Sequence, residues 1–177
     1  MARFGKIKRT AATFFAVAAV LCLIGLVWSK YIWFDPRYAA DISNYGRQYG
    51  VSEDLIYSVI KAESNFDDDA TSSRGAVGLM QIMPSTAVFV AQSLNEQSFD
   101  LKDAKQNLRY GIYYLSYLSS KFDDQTEVLA AYNAGESTVK KWLAEQDGTL
   151  AKIPYGETER YIKKIEFFKK VYNTLYK

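Results

Sequence analysis

Residues 63–87 read ESNFDDDATSSRGAVGLMQIMPSTA. The stretch joins two helices through a loop that carries unusual chemistry. Upstream, Ser52 is placed to cap a helix, and Glu53 and Asp54 fall in its first turn, where the macrodipole favours acids. Leu55, Val59 and Ile60 follow at helical spacing, so this helix is expected to end near Asn65. Residues 67–78 are rich in Asp, Ser and Gly and predict a loop. Pro84 then starts a short helix through Val90. Glu63 therefore closes an apolar helix just before a glycine loop. A carboxylate beside apolar and aromatic groups has a raised pKa and can serve as a general acid. Gln81 sits in an apolar run and must find a polar partner. A purely structural explanation remains open at this point: Gly75 and Gly78 in tight turns, Gln81 satisfied in the core.

Working outward, the rest of the body also reads as helix. Asp35-Pro36 opens a helix that Gly50 stops after Tyr49. A longer helix is expected from Ala104 to Lys121, with Leu108, Ile112, Leu115 and Leu118 on one face. Asp123-Asp124 start the next, which runs through Ala130-Ala131 to Tyr132-Asn133-Ala134-Gly135. There Asn133 or Gly135 suits a left-handed cap, and Tyr132 can present its hydroxyl to a cleft. A short helix follows at about Ser137–Ala144. The last spans about Thr158–Leu175, with Tyr161, Ile165, Phe168 and Tyr172 on one face. Glu157 at its start suits the helix dipole. No segment alternates with period two. The expectation is an all-α, orthogonal helical domain over residues 37–177.

The first 34 residues differ in kind. Ala11–Trp28, AATFFAVAAVLCLIGLVW, contains no charge. As a helix it would extend about 27 Å, near the ~30 Å of a bilayer's hydrocarbon core. Arg3, Lys6, Lys8 and Arg9 precede it, and Tyr31, Trp33 and Phe34 follow Lys30. This asymmetry predicts a basic cytoplasmic N-terminus (1–10), a transmembrane helix (11–28), a short stem (29–36) and an extracytoplasmic body. A cleaved signal peptide is the main alternative, but Ser29-Lys30-Tyr31 is a poor cleavage site. Cys22 as a lipoprotein cysteine is opposed by Leu21 before it and by the apolar run after it.

Composition narrows the chemistry. The 177 residues are 49% hydrophobic and 24% charged, with one Cys and no His. Intrachain disulfides, Cys/His zinc sites and Ser-His-Asp or Cys-His catalysis are excluded. The net charge is +2, and the basic excess belongs to the N-terminal segment, which leaves the body mildly acidic and unsuited to nucleic acid. Asp67-Asp68-Asp69 lacks the ligand alternation of a calcium loop and reads as a solvated acidic turn. No metal or organic cofactor is expected.

Four ordered blocks resemble the lytic transglycosylases of the soluble-lytic type, whose catalytic domain is lysozyme-like. They are Glu63-Ser64-Asn65-Phe66, then Ser72 through Pro84 continuing to Thr86-Ala87, then Ala130 through Gly135, and Ile153 through Thr158 followed by Tyr161. Asn107-Leu108 and Gly111 to Leu115 precede the third. The likeness covers residues 40–176 and leaves out the apolar N-terminal run. It implies Glu63 as the catalytic acid/base, and Ser72, Gln81, Tyr132, Asn133 and Glu157 as residues lining a glycan cleft. It also implies Met80 as an apolar cleft-wall residue.

Hydrolysis of a glycosidic bond ordinarily takes two carboxylates, whereas only Glu63 stands in a catalytic-looking block. The resemblance implies a lyase route instead. Cleavage of the β-1,4 bond between N-acetylmuramic acid and N-acetylglucosamine would give 1,6-anhydromuramoyl ends. The alternatives are a hydrolytic muramidase using Glu63 with Asp67, Asp68 or Asp69, and a non-enzymatic peptidoglycan-binding protein. The expected partners are peptidoglycan strands and, through the N-terminal helix, the bacterial membrane.

Overall fold

The computed structural model describes residues 16–22, 25 and 33–176. Two units separate, Met1–Pro36 and Arg37–Lys177. In the first, residues 16–22 and Gly25 are helical and, apart from half-buried Ala18, exposed. The rest of the apolar run expected to span a membrane lies outside the described residues. Among the described residues, no helix is long and apolar enough to cross a membrane.

The second unit is helical, as the periodicity predicts. A 3-10 turn at Pro36–Tyr38 leads into α1 (Ala39–Tyr49), so the helix proper begins later than Asp35-Pro36 suggested. Gly50 ends α1 at φ 70°, a left-handed cap that spares a side chain the Cβ clash. Helix α2 is Glu53–Glu63, α3 Pro84–Ser93, α4 Ala104–Ser119, α5 Gln125–Ala134, α6 Glu136–Glu145 and α7 Gly156–Tyr176. Asp103 and Asp124 cap α4 and α5, accepting from the amides of Gln106 and Thr126. Ser52 occupies the N-cap of α2 without a side-chain cap bond.

Helix α2 is the axis of the core. Leu55 to Ile60 are all buried, and Ser58, the small polar residue among them, is satisfied by donating its hydroxyl to the Asp54 carbonyl at 2.6 Å. It packs mainly against α7 and also against α1. Helix α4 joins α1, α3 and α5, while α5 meets α7. The last turn of α2 thus ends in the angle between α5, α7 and the loop that follows.

That loop, residues 64–83, is a built structure rather than a slack connection. Val77 and Ile82 exchange backbone hydrogen bonds at 3.1 and 3.0 Å, and the Ser72 and Gly78 amides donate to Ala76 and Ala70. Asn107 of α4, fully buried, holds it from below. Its amide nitrogen donates to the Val77 and Leu101 carbonyls at 2.8 and 3.0 Å, and its oxygen accepts from the Met80 amide at 2.9 Å. Two glycines permit this closeness. A Cβ at Gly78 (φ 76°) would collide with the Asn107 side chain, and one at Gly111 with that of Met80.

Candidate active site

The loop, the C-terminal turn of α2, the end of α5 and the start of α7 enclose a cleft of about 640 Å³. Glu63 lies in its floor. Burial pushes the Glu63 carboxyl up from an ordinary 4.5 to about 7, while the Tyr161 hydroxyl and the charge of Lys164 pull it the other way. The negative pole of α2 acts in the same sense as burial. The Tyr161 hydroxyl donates to Glu63 Oε1 at 2.6 Å. At neutral pH the group is therefore divided between acid and carboxylate, and can both give and take a proton.

The backbone around Glu63 is unusual. Asn65 and Phe66 adopt φ 55° and 67°, and Gln81 φ 46°, a left-handed region that side chains avoid. Packing and hydrogen bonds hold them there. Phe66 is buried, and the Ser64 hydroxyl donates to the Leu79 carbonyl at 2.9 Å. Gln81 donates to the Ala70 and Gly78 carbonyls at 3.1 and 2.9 Å. These contacts fix the loop to the end of the helix that carries the acid.

Of the residues expected at the site, Glu63, Ser72, Gln81, Tyr132, Asn133 and Glu157 all line this one cleft. The Tyr132 hydroxyl donates to the Met80 carbonyl at 2.8 Å. Burial and the nearby Glu63 carboxylate raise its pKa well above the ordinary tyrosine value, so it stays a neutral donor. Asn133 accepts from the Thr158 hydroxyl at 2.8 Å, tying α5 to α7. Ser72 accepts from the Ala76 amide. Glu157 stands on the rim, 3.8 Å from Arg74.

Met80 is a correction. Its side chain is fully buried and sits against Gly111, away from the cleft. Met83 lines the cleft instead and is exposed. The left-handed turn at Gln81 separates the two, so one methionine points inward and the other out. Spacing alone could not register that turn. Sequence reasoning also passed over Tyr161 as a site residue and placed it on the buried face of α7. That is where it lies, but its hydroxyl reaches Glu63. Its position just after the fourth block is the signal that was available.

The acidic triplet takes no part in the cleft. Asp68 accepts from the Tyr38 hydroxyl at 2.7 Å, and Asp67 from the Asp69 amide at 3.0 Å. Apart from Glu63, the cleft-lining carboxylate among the described residues is Glu157. No group of His, Cys, Asp and Glu suited to a metal ion occurs among the described residues.

The transglycosylase SLT domain family matches residues 41–153. The chain belongs to that family. It is 29% identical over 143 residues to a soluble lytic murein transglycosylase of Salmonella typhimurium, covering 75% of this chain and 22% of the relative. It is 34% identical over 116 residues to a membrane-bound lytic murein transglycosylase C of Histophilus somni, covering 58% and 32%. The structure of an inactive mutant of the lytic transglycosylase Slt from Pseudomonas aeruginosa superposes with a TM-score of 0.73 at 29% identity, covering 82% of this chain and 25% of that one. The chain thus spans under a third of each of these relatives. The lysozyme-like fold of this SLT-family domain agrees with the all-helical expectation.

Removing the Tyr161 hydroxyl tests the geometry around Glu63. That hydroxyl bonds the ionised carboxylate, so Tyr161→Phe raises the Glu63 pKa further. The alkaline limb of the pH–rate profile should move to higher pH, with roughly tenfold lower kcat from the lost positioning bond. An unmoved limb would show that the bond does not set the proton affinity of Glu63.

Proposed function

We propose that this protein is a membrane-anchored lytic transglycosylase of peptidoglycan. It cuts the β-1,4 bond between N-acetylmuramic acid and N-acetylglucosamine without water. The observation that carries the reading is the single half-buried carboxylate of Glu63 with its pKa near 7, in a cleft whose other carboxylate stands at the rim.

Protonated Glu63 donates to the leaving glycosidic oxygen. The 2-acetamido group of the muramoyl residue stabilises the positive charge that grows at C1. Glu63, now ionised, takes the proton of the C6 hydroxyl, whose oxygen closes on C1 to give the 1,6-anhydro ring. Proton and oxygen balance within the sugar chain, so no second carboxylate is required, in contrast to the pairs of hydrolases. Tyr132, neutral and fixed on the Met80 carbonyl, and Asn133 orient the acetamido side. The names of the soluble and membrane-bound murein transglycosylases among the relatives support this chemistry.

The anchor rests on the uncharged run 11–28 and its basic flank. It would place the N-terminus in the cytoplasm and the domain outside. A stem of about eight residues reaches at most about 25–30 Å, so cutting occurs close to the membrane. In cell fractions the full chain should remain with membranes after alkaline extraction, while residues 35–177 should be soluble and still cut. Recovery of the full chain in the soluble fraction would remove the anchor.

The deciding measurement is mass spectrometry of muropeptides released from purified peptidoglycan. Anhydro ends are expected. Products heavier by one water would assign a hydrolase instead.

A further inference from the structure

Arg74 and Glu157 face each other across the mouth of the cleft, one on the 64–83 loop, the other in the first turn of α7. Arg74 Nη2 lies 3.8 Å from Glu157 Oε2, and the two side chains are 81% and 67% exposed. An ion pair this open and this long contributes little to folding. A pair that contributes little also exchanges readily for a better partner. Both residues belong to the lining of the cleft that holds Glu63, and Arg74 is the cation of that lining among the described residues. The remaining wall is neutral, supplied by groups such as Gln81, Tyr132 and Asn133.

Resting on the peptidoglycan reading above, the geometry points to Arg74 as a specificity-determining residue that exchanges Glu157 for a carboxylate of the substrate strand. The sugar rings themselves are uncharged. Carboxylates enter such a strand through the lactyl ether of N-acetylmuramic acid, when no peptide is attached, or through the stem peptide. A planar guanidinium grips a carboxylate with two parallel hydrogen bonds, shorter and stronger than the present 3.8 Å contact. The exchange leaves Glu157 facing the same ligand, where it accepts from an amide or ammonium of the peptide. A neutral β-1,4 N-acetylglucosamine oligomer offers the same ring shape and nothing for Arg74 to hold.

The test is a titration of the full chain in detergent, carrying Glu63→Gln so that ligand is not consumed. Three probes are used: glycan strands with intact stem peptides, the same strands stripped by an amidase to free lactyl carboxylates, and a chito-oligosaccharide. Arg74→Gln should weaken binding about tenfold to at least one of the two carboxylate-bearing probes and leave the chito-oligosaccharide unchanged. Arg74→Lys should recover part of the loss, and added salt should erode the same increment. The probe that loses affinity identifies whether the carboxylate is lactyl or peptidic. Equal affinity of Arg74→Gln and its parent for all three probes would overturn the inference. Equal weakening on all three would do so too, since that marks a structural role for the rim. If the parent bound none of the strands, the peptidoglycan reading would fall with it; if it bound them, only the role of Arg74 would be at stake.

Discussion

Glu63→Gln is expected to lower glycan cleavage by at least about 10³-fold while making the folded protein more stable at pH 8. General acid–base catalysis contributes typically 10²–10⁴-fold. In the proposed reaction one group serves as both acid and base, so the loss falls at the upper part of that range. Gln keeps the shape and can still accept from Tyr161. The stability effect has a definite sign. Burial raises the Glu63 pKa from 4.5 to about 7, so the folded protein holds this proton more tightly than the unfolded chain. The stabilisation from that proton is fully present below about pH 4.5 and is lost as the pH rises through 7. At pH 8 the fold carries an ionised, desolvated carboxylate at a cost of about 3 kcal/mol. Gln carries no such cost. Urea titrations at pH 8 should therefore favour the variant by up to about 3 kcal/mol, and the difference should vanish near pH 4. Wild-type protein more stable at pH 8 would refute the desolvated carboxylate, and retained cleavage would refute its catalytic role. The same pKa makes the activity that needs the protonated acid fall as the pH rises above about 7.

Asn107→Ala should cost about 3–5 kcal/mol, a large share of the roughly 5–15 kcal/mol that holds a domain together. The side chain is fully buried and bonds two carbonyls and one amide, and its bonds to Leu101 and Met80 are buried as well. Truncation takes this partner from the Met80 amide and the Leu101 carbonyl, strips the Val77 carbonyl down to its bond from the Ile82 amide, and leaves a void beside them. Because Val77 and Met80 belong to the loop, the loss also frees the ground under Gln81 and Ser72. Cleavage should then fall by more than the folded fraction accounts for. Hydrogen exchange at the Met80 amide gives the local readout, since protection there depends on Asn107 Oδ1. A stability change below about 1 kcal/mol, or unchanged exchange at Met80, would show that the loop stands without its clamp.

These two residues mark different degrees of legibility. Glu63 could be read because a carboxylate closing an apolar helix before a glycine loop is unusual, and because four ordered blocks carry a family likeness. Asn107 stood beside one of those blocks, yet nothing in its neighbourhood announced that its amide would be spent on a loop some 30 residues earlier. Met80 was misread for a related reason. Spacing presumes a regular element, and the left-handed turn at Gln81 breaks the regularity between Met80 and Met83.

The sequence by itself determined the succession of helices, because caps, apolar spacing and glycine stops act within a few residues of one another. It also determined the charge asymmetry around residues 11–28 and singled out Glu63 as the candidate acid. Tertiary structure alone decided what that acid can do. The pKa of Glu63 depends on water excluded by α5 and α7 and on a hydroxyl 98 positions away. Desolvation and hydrogen bonding fall off within a few ångströms, so they depend on which groups the fold brings together, not on their order along the chain.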